Sequence, residues 1–356
     1  MALFSPRYRL TNKIVSALTA VAEAKAVIER ARILPQLELK LRRQALIRMT
    51  HASTGIEGNE LDTSQVAAVY DHQKVNAKER AVHEVKNYLG ALKYIGQIVK
   101  ANQPLTEKVV LKIHKLVTAK TLPPSQCGIY RKGTVQVVRH GTAQGQNKEV
   151  VYVGPEDTQV PRLMNDLISW LKKTEKENID PVITAGIAHK EIAAIHPFTD
   201  GNGRTARALA TLILYQRGYD LRRLFALEDY YNRDRAKYYR AVDLGKNYAA
   251  RDTDLTPWLE YFVTGFKEEI DNVKAKILSL AGKKVSDNIE GQVFLHLDQL
   301  KILELLESRG VVRVRDVTTA LKCPQRTAQF HLHKLKQLKM IEQTGRGPAA
   351  AYVLAK

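Results

Sequence analysis

The segment His196-Pro197-Phe198-Thr199-Asp200-Gly201-Asn202-Gly203-Arg204-Thr205-Ala206-Arg207 separates two apolar runs with helical spacing. Val182 to Ile195 precedes it, and Ala208-Leu209-Ala210-Thr211-Leu212-Ile213-Leu214-Tyr215, closed by Gly218, follows it. The spacing predicts a tight loop between two helices, the second starting near Gly203. Gly201 and Gly203 let backbone N–H groups converge without Cβ obstruction at a helix start, where such groups lack partners. Aligned amides and the helix dipole both favour an anion there, so the amides of Gly201, Asn202 and Gly203 are candidate phosphate binders. Arg204 and Arg207 lie three apart and are expected to share a helix face, able to fork onto one polyphosphate. Asp200 is suited to hold Mg²⁺, which typically takes one or two carboxylates plus phosphate oxygens. His196 is a general-base candidate, since an unperturbed imidazole titrates near ~6.5.

These residues match the Fic family signature, H-P-F-x-D/E-G-N-G-R-x-x-R, at every fixed position, and the chain resembles that family from roughly Glu57 to Phe266. The resemblance implies a helical core that transfers AMP from ATP to a Ser, Thr or Tyr hydroxyl of a target protein. The family also transfers UMP, phosphate and phosphocholine, and removal of AMP is a related alternative. Ser53-Thr54-Gly55-Ile56-Glu57-Gly58 resembles the family's inhibitory motif, S/T-x-x-x-E-G/N, in the subgroup that carries it ahead of the core. The implied roles are inhibitory for Ser53 and Glu57, with Glu57 pairing to Arg207. On residue types alone the same stretch is an ordinary helix end, Gly58 or Asn59 supplying the left-handed residue.

The composition, 44% hydrophobic and 26% charged over 356 residues, suits a globular protein of two or three domains. A net charge of +19 calls for an acidic partner: nucleotide, nucleic acid or an acidic protein. Cys127 and Cys323 form no disulfide framework, which fits a reducing cytoplasm. No signal-peptide core is visible at Met1–Arg7, and the Ile14–Ile28 segment carries Glu23 and Lys25, so no membrane association is expected.

The class is mainly α. Residues 1–78 read as an N-terminal helical region that contains the inhibitory helix. Asn12 to Leu34 is expected to bury Ile14, Leu18, Val21, Lys25 and Ile28 along one stripe, and Pro35 to start the next helix through Leu37, Leu41, Ala45 and Met49. Residues 79–281 read as the catalytic core. In it Glu84-Val85-x-Asn87-Tyr88 is similar to the family's first core helix, with polar members expected to be scaffold. His114 is expected to be a hydrogen-bonded core histidine. Gly128 to Val138 alternates and Glu149-Val150-Val151-Tyr152-Val153 answers it, a hairpin near 128–153 with a long polar tip. The hairpin resembles the Fic flap, so Val135, Gln136 and Val137 would dock the target by strand addition. Leu227 to Tyr239 resembles the family's adenine-pocket segment, with Tyr231 and Tyr239 as base-stacking candidates; Asp234 stands where the family commonly has Asn.

Residues 282–296 read as a linker, and 297–356 as three short helices with a two-stranded wing around Gly345-Arg346-Gly347, similar to a winged helix. That tail holds eleven Lys/Arg against five Asp/Glu, a net +6, and Gln325, Arg326, Gln329, His331 and Lys334 could face a DNA groove. Winged helices also make dimer and protein contacts, so a homodimer is another partner considered. Two other function classes were weighed. A nucleotide-sensing transcription regulator has no need of the base His196. A metallohydrolase on His189, His196 and Asp200 has too few nitrogen ligands and leaves the glycines unexplained.

Overall fold

Helical periodicity in the chain becomes fourteen α-helices among the described residues of a computed structural model, which covers 4–31, 33–140, 148–251, 253–282, 295–345 and 350–355. First come α1 (Asn12–Arg30), α2 (Pro35–Ile56), α3 (Thr63–Tyr70), α4 (Glu79–Lys100) and α5 (Glu107–Thr118). An antiparallel hairpin, β1 (Gln136–His140) and β2 (Lys148–Val153), follows. Then come α6 (Val160–Lys176), α7 (Pro181–Ile195), α8 (Asn202–Gln216), α9 (Leu227–Arg233), α10 (Arg235–Val242) and α11 (Thr256–Gly282). The chain closes with α12 (Leu297–Arg309), α13 (Val314–Leu321), α14 (Gln325–Gln337) and the hairpin β3 (Ile341–Thr344), β4 (Ala351–Leu354). No described helix is long and apolar enough to cross a membrane.

The helix α7 is the centre of the core. It is apolar on all sides, and even its polar members Thr184, His189, Lys190 and Glu191 are buried. Pro181 suits its first turn, and the Asp180 carboxylate accepts from the amides of Val182 (2.7 Å) and Ile183 (3.3 Å). Gly186 lets α11 approach so closely that a Cβ there would stand 3.0 Å from both Leu259 and Phe262. Trp258 fills the gap alongside and donates its indole N–H to the Gly186 carbonyl at 2.7 Å.

The N-terminal helices share this core rather than building their own. Ile14, Val21 and Ile28 of α1, which packs on α11, join it with Leu41, Met49 and Ile56 of α2. The buried stripe of α1 is completed by Ala17 and Ala24, not by the expected Leu18 and Lys25, because close helix packing favours small side chains at the contact.

The first flap strand is shorter than its alternating sequence suggests. Pairing begins at Gln136, not Gly128, because Arg131 turns inward and uses its amide on the Pro197 carbonyl (2.9 Å) instead of a strand partner. The register shifts between Val137 and Val138, where Val151 of β2 is the extra residue, and the hairpin tip at 141–147 lies outside the described residues.

The C-terminal helices bury a second core of Ile302, Leu303, Leu306, Val317, Leu332 and Leu335. It meets the rest through Arg42–Glu307 (3.6 Å) and Lys100–Glu304 (2.8 Å). Gln325, Arg326, Gln329 and Lys334 are exposed on α14, but His331 is only 7% exposed, because it falls on the same side of the helix as Ala328, Leu332 and Leu335. Most of the 282–296 linker, and the centre of the Gly345-Arg346-Gly347 tip, lie outside the described residues.

The α7–α11 contact yields a stability prediction. Gly186→Leu would overpack the Leu259–Phe262 wall and lower stability by about 1–3 kcal/mol. Urea unfolding followed by circular dichroism checks this; an unchanged midpoint would show that the contact is loose.

Candidate active site

The loop between α7 and α8 is held from within. Asn202 accepts from the Phe198 amide (2.9 Å) and donates to the Phe198 carbonyl (2.8 Å), fastening both ends of one turn. The Asn202 side chain is thereby spent on the loop, so of the expected phosphate-binding role only its backbone amide is available. Gly201 adopts φ 78°, a left-handed conformation that strains other residues, and a Cβ there would stand 2.8 Å from Thr118. His196, at the end of α7, is also left-handed (φ 50°, ψ 56°), which lifts its ring off the helix axis into the loop.

Two residues brace this arrangement, and sequence reasoning gave them no site role. The Arg131 guanidinium donates to the carbonyls of His196 (2.8 Å), Gly133 (2.6 Å) and Pro155 (2.6 Å), clamping the strained His196 backbone to the root of the flap. His114 is the core histidine expected, but its contacts belong to the site. Its ring stacks on Phe198 at 3.7 Å between centroids, and its Nδ1 accepts from the Gly128 amide at 2.9 Å. The proton must therefore sit on Nε2, which donates to the Asp200 carbonyl at 3.0 Å. Burial pushes the His114 imidazolium down to about 4, so the ring stays neutral in that role. Neither residue stands in the motif, and only its place in the folded core identifies it.

His196 Nδ1 faces the Ala193 carbonyl at 3.2 Å. With the proton on Nδ1, Nε2 keeps its lone pair, as a general base requires. Burial lowers the His196 pKa below its ordinary value; the Ala193 carbonyl opposes this, Arg131 adds to it, and Glu57 and Asp200 oppose it further.

The two motif arginines do not point at one anion in this state; each is engaged by its own carboxylate. Arg207, whose side chain is 1% exposed, donates Nη2 to Glu57 at 2.7 Å and to the Ser53 carbonyl at 2.8 Å, and Nε to the Ser53 hydroxyl at 2.8 Å. The Glu57 carboxylate lies against Gly203, where any Cβ would collide with it. It thus occupies the N-terminus of α8, where an anion would otherwise sit. Arg204 contacts Asp200 (3.2 Å) and Glu84 (3.9 Å). Asp200 also meets Arg80 at 3.3 Å, and Glu84 accepts from Arg80 (3.2 Å) and from Asn59 just past α2 (2.7 Å). Glu84, expected to be scaffold, therefore links the end of α2 to Arg204.

The aromatic candidates separate. Tyr231 is 1% exposed, stacked on Tyr238 at 4.7 Å and walled by Tyr261, Phe262 and His189, so it offers no face to a base. Tyr239 is 53% exposed, and its hydroxyl donates to the Ile56 carbonyl at 3.2 Å. Asp234 caps α10 by accepting from the Lys237 amide. His189 is buried with Nε2 2.9 Å from the Tyr238 hydroxyl, and its pKa is pushed down to about 3 by burial and then by Arg207. Among the described residues His189, His196 and Asp200 form no group that could hold a metal. On the flap, Gln136 is exposed and Val135 and Val137 are half-buried; among the described residues no further strand pairs with β1.

The helical core thus brings a glycine-rich helix start, the His196 imidazole and two buried arginines together. Residues 104–214 match the profile of the Fic/DOC family. The matched stretch takes in α7, the loop after it and nearly all of α8. Relatives include the protein adenylyltransferase Fic of Aedes aegypti, 30% identical over 217 residues that make up 60% of this chain and 39% of that protein. The protein of the same name from Drosophila virilis is 28% identical over 72% of this chain and 46% of its own length. The chain thus spans less than half of these relatives. A crystal structure of a Fic family protein from Desulfovibrio desulfuricans G20 superposes with a TM-score of 0.64 at 28% identity, over 99% of this chain and 98% of that one. Fic-1 (residues 134–508) from Caenorhabditis elegans shares the fold, with a TM-score of 0.59 at 23% identity over 75% of this chain and 73% of its own.

The environment of His196 is testable by NMR. Its ring should titrate below ~6.5, remaining neutral at pH 7. Glu57→Gln should lower the midpoint further, because the carboxylate favours the imidazolium. A midpoint at or above the ordinary value would contradict the buried base.

Proposed function

We propose that this chain is a protein adenylyltransferase: it moves AMP from ATP to a Ser, Thr or Tyr hydroxyl of a target protein and is held inactive by its own Glu57. One observation carries the reading. A carboxylate from the end of α2 sits on Arg207 and against Gly203, where the triphosphate of a nucleotide would lie. With Glu57 there, a γ-phosphate meets a like charge and loses its arginine. The nucleotide can then bind only in a pose unsuited to attack, and lost alignment costs several kcal/mol of barrier.

When Glu57 withdraws, Arg207 takes the outer phosphates and Arg204 lies within the same helical turn to share them. The amides of Asn202 and Gly203 donate to the α-phosphate oxygens on which charge builds, and the Gly201 amide joins them once it leaves the Asp200 carboxylate. Asp200 fits a divalent cation by its chemistry: its carboxylate is partly exposed, and one of its oxygens meets only the exposed Arg80. Mg²⁺ held there would neutralise phosphate charge when bound. His196 Nε2 removes the proton of the target hydroxyl. The hydroxyl oxygen forms a bond to the α-phosphorus, the α–β bridging bond breaks, and pyrophosphate leaves toward the arginines. Arg131 holds the His196 backbone in place, and the open edge of β1 at Val135–Val137 receives the target segment as an added strand. Tyr239, exposed and bonded to the end of α2, is the aromatic available to the base.

Glu57→Gly should raise incorporation of label from [α-³²P]ATP into protein by at least tenfold, and His196→Ala in that background should abolish it. Mass spectrometry of the product distinguishes AMP from other transferred groups. Label release from a modified target by the unaltered chain, without any incorporation by Glu57→Gly, would instead identify a de-AMPylase.

For the C-terminal region we read α12–α14 with β3 and β4 as a winged helix whose partner is DNA. The exposed Gln325, Arg326, Gln329 and Lys334 on α14 support this. Fluorescence anisotropy of the full chain with duplex DNA should show binding that weakens as salt rises, and Arg326→Ala should reduce it. Binding that is absent at low ionic strength would retire the reading.

A further inference from the structure

We propose that His296, Asp298 and His331 form a binding site for a divalent metal ion of the zinc class, which pins the start of α12 to α14. The site is separate from the transfer site and does not depend on its chemistry. One ligand atom from each of the three residues lies within 4.8 Å of the others. Asp298 Oδ2 stands 3.4 Å from His296 Nδ1 and 3.9 Å from His331 Nε2. In a tetrahedral zinc site with bonds of about 2.0–2.1 Å, neighbouring ligand atoms are roughly 3.3–3.4 Å apart. One of the three edges already has that length, the Asp298–His331 edge needs to close by about half an ångström, and the His296–His331 edge lies within 4.8 Å.

The second observation is His331 itself. It is 7% exposed on the inner side of α14; its Nδ1, which has no hydrogen-bond partner among the described residues, is not the nitrogen turned to Asp298. Its Nε2 faces Asp298 at 3.9 Å, too far for a hydrogen bond. A buried imidazole is normally hydrogen-bonded or ligating. The His296 ring stacks on it at 5.4 Å between centroids, which brings both imidazoles to the same carboxylate. Two imidazoles and one carboxylate suit zinc far better than magnesium or calcium, and three protein ligands leave a fourth position for water.

His296 is the N-cap of α12, directly after the residues that join the C-terminal helices to the core. His331 is on the helix whose outer face carries Arg326 and Lys334. A metal ion would therefore fix where the connecting segment enters this part of the fold relative to that face. No covalent chemistry is needed; the ion acts as a staple.

The test uses the full chain, stripped with EDTA and desalted, then titrated with ZnCl₂ against a chromophoric chelator, with Co²⁺ as an optical probe. The expected result is one zinc per chain that is lost in His296→Ala and retained in His196→Ala. Co²⁺ should give the absorption of a tetrahedral site, and zinc should raise the unfolding temperature of the unaltered chain and of His196→Ala but not of His296→Ala. His296 is exposed but its ring also caps α12, so circular dichroism checks the fold of His296→Ala and of the companion variant His331→Ala. Zinc binding unchanged in His296→Ala, loss in His196→Ala instead, or no stoichiometric binding at all would each overturn the proposal.

Discussion

Two hydrogen bonds from the Asn202 side chain to the backbone of Phe198 hold the turn between α7 and α8, and the site is built on that constraint. The turn aims the first amides of α8 outward and carries His196 clear of the preceding helix. It also leaves Asp200 at the rim, with its carbonyl tied to His114. A loop this short can keep such a shape only against a rigid surround. The neutral His114 ring supplies one wall, and Arg131, gripping three carbonyls, supplies the other. Both are buried and hydrogen-bonded, so neither can relax when the loop meets a charged ligand.

In this state the site's cations are already neutralised from within. Arg207 lies on Glu57 and Ser53, Arg204 on Asp200 and Glu84, and Arg80 bridges Asp200 and Glu84. A buried arginine without a partner would be costly, so each carboxylate also helps to keep the loop folded. The same economy couples the N-terminal helices to the site. Glu57, the C-cap of α2, touches Arg207 directly, and Asn59 just beyond it reaches Arg204 through Glu84. Movement of α2 therefore changes the charge that a phosphate would meet, without any change in α8.

Much of this was legible in the chain because it is local. The loop and the helices on either side follow from periodicity and glycine placement, and Ser53 and Glu57 were named from a motif that the fold brings to Arg207. The adenine-pocket tyrosines divided because aromatic residues at helical spacing do not reveal which side of the helix meets the core: Tyr231 faces inward and Tyr239 outward. His331 was misread as a groove residue for the same reason. Alternation from Gly128 suggested a longer strand than forms, since a buried Arg131 breaks the pairing through contacts to residues far along the chain.

By itself the sequence determined the helices, the turn between α7 and α8 and the residues that stand on it, since each depends on residues within a few turns of one another. Only the tertiary structure decided how the parts engage: that Glu57 fills the cradle beside Gly203, that Arg204 and Arg207 have separate acidic partners, and that His114 and Arg131 brace the loop. Those contacts join residues up to 150 positions apart. Their geometry is set by how α2, α4 and the flap root pack around α7 and α8, which no local spacing records.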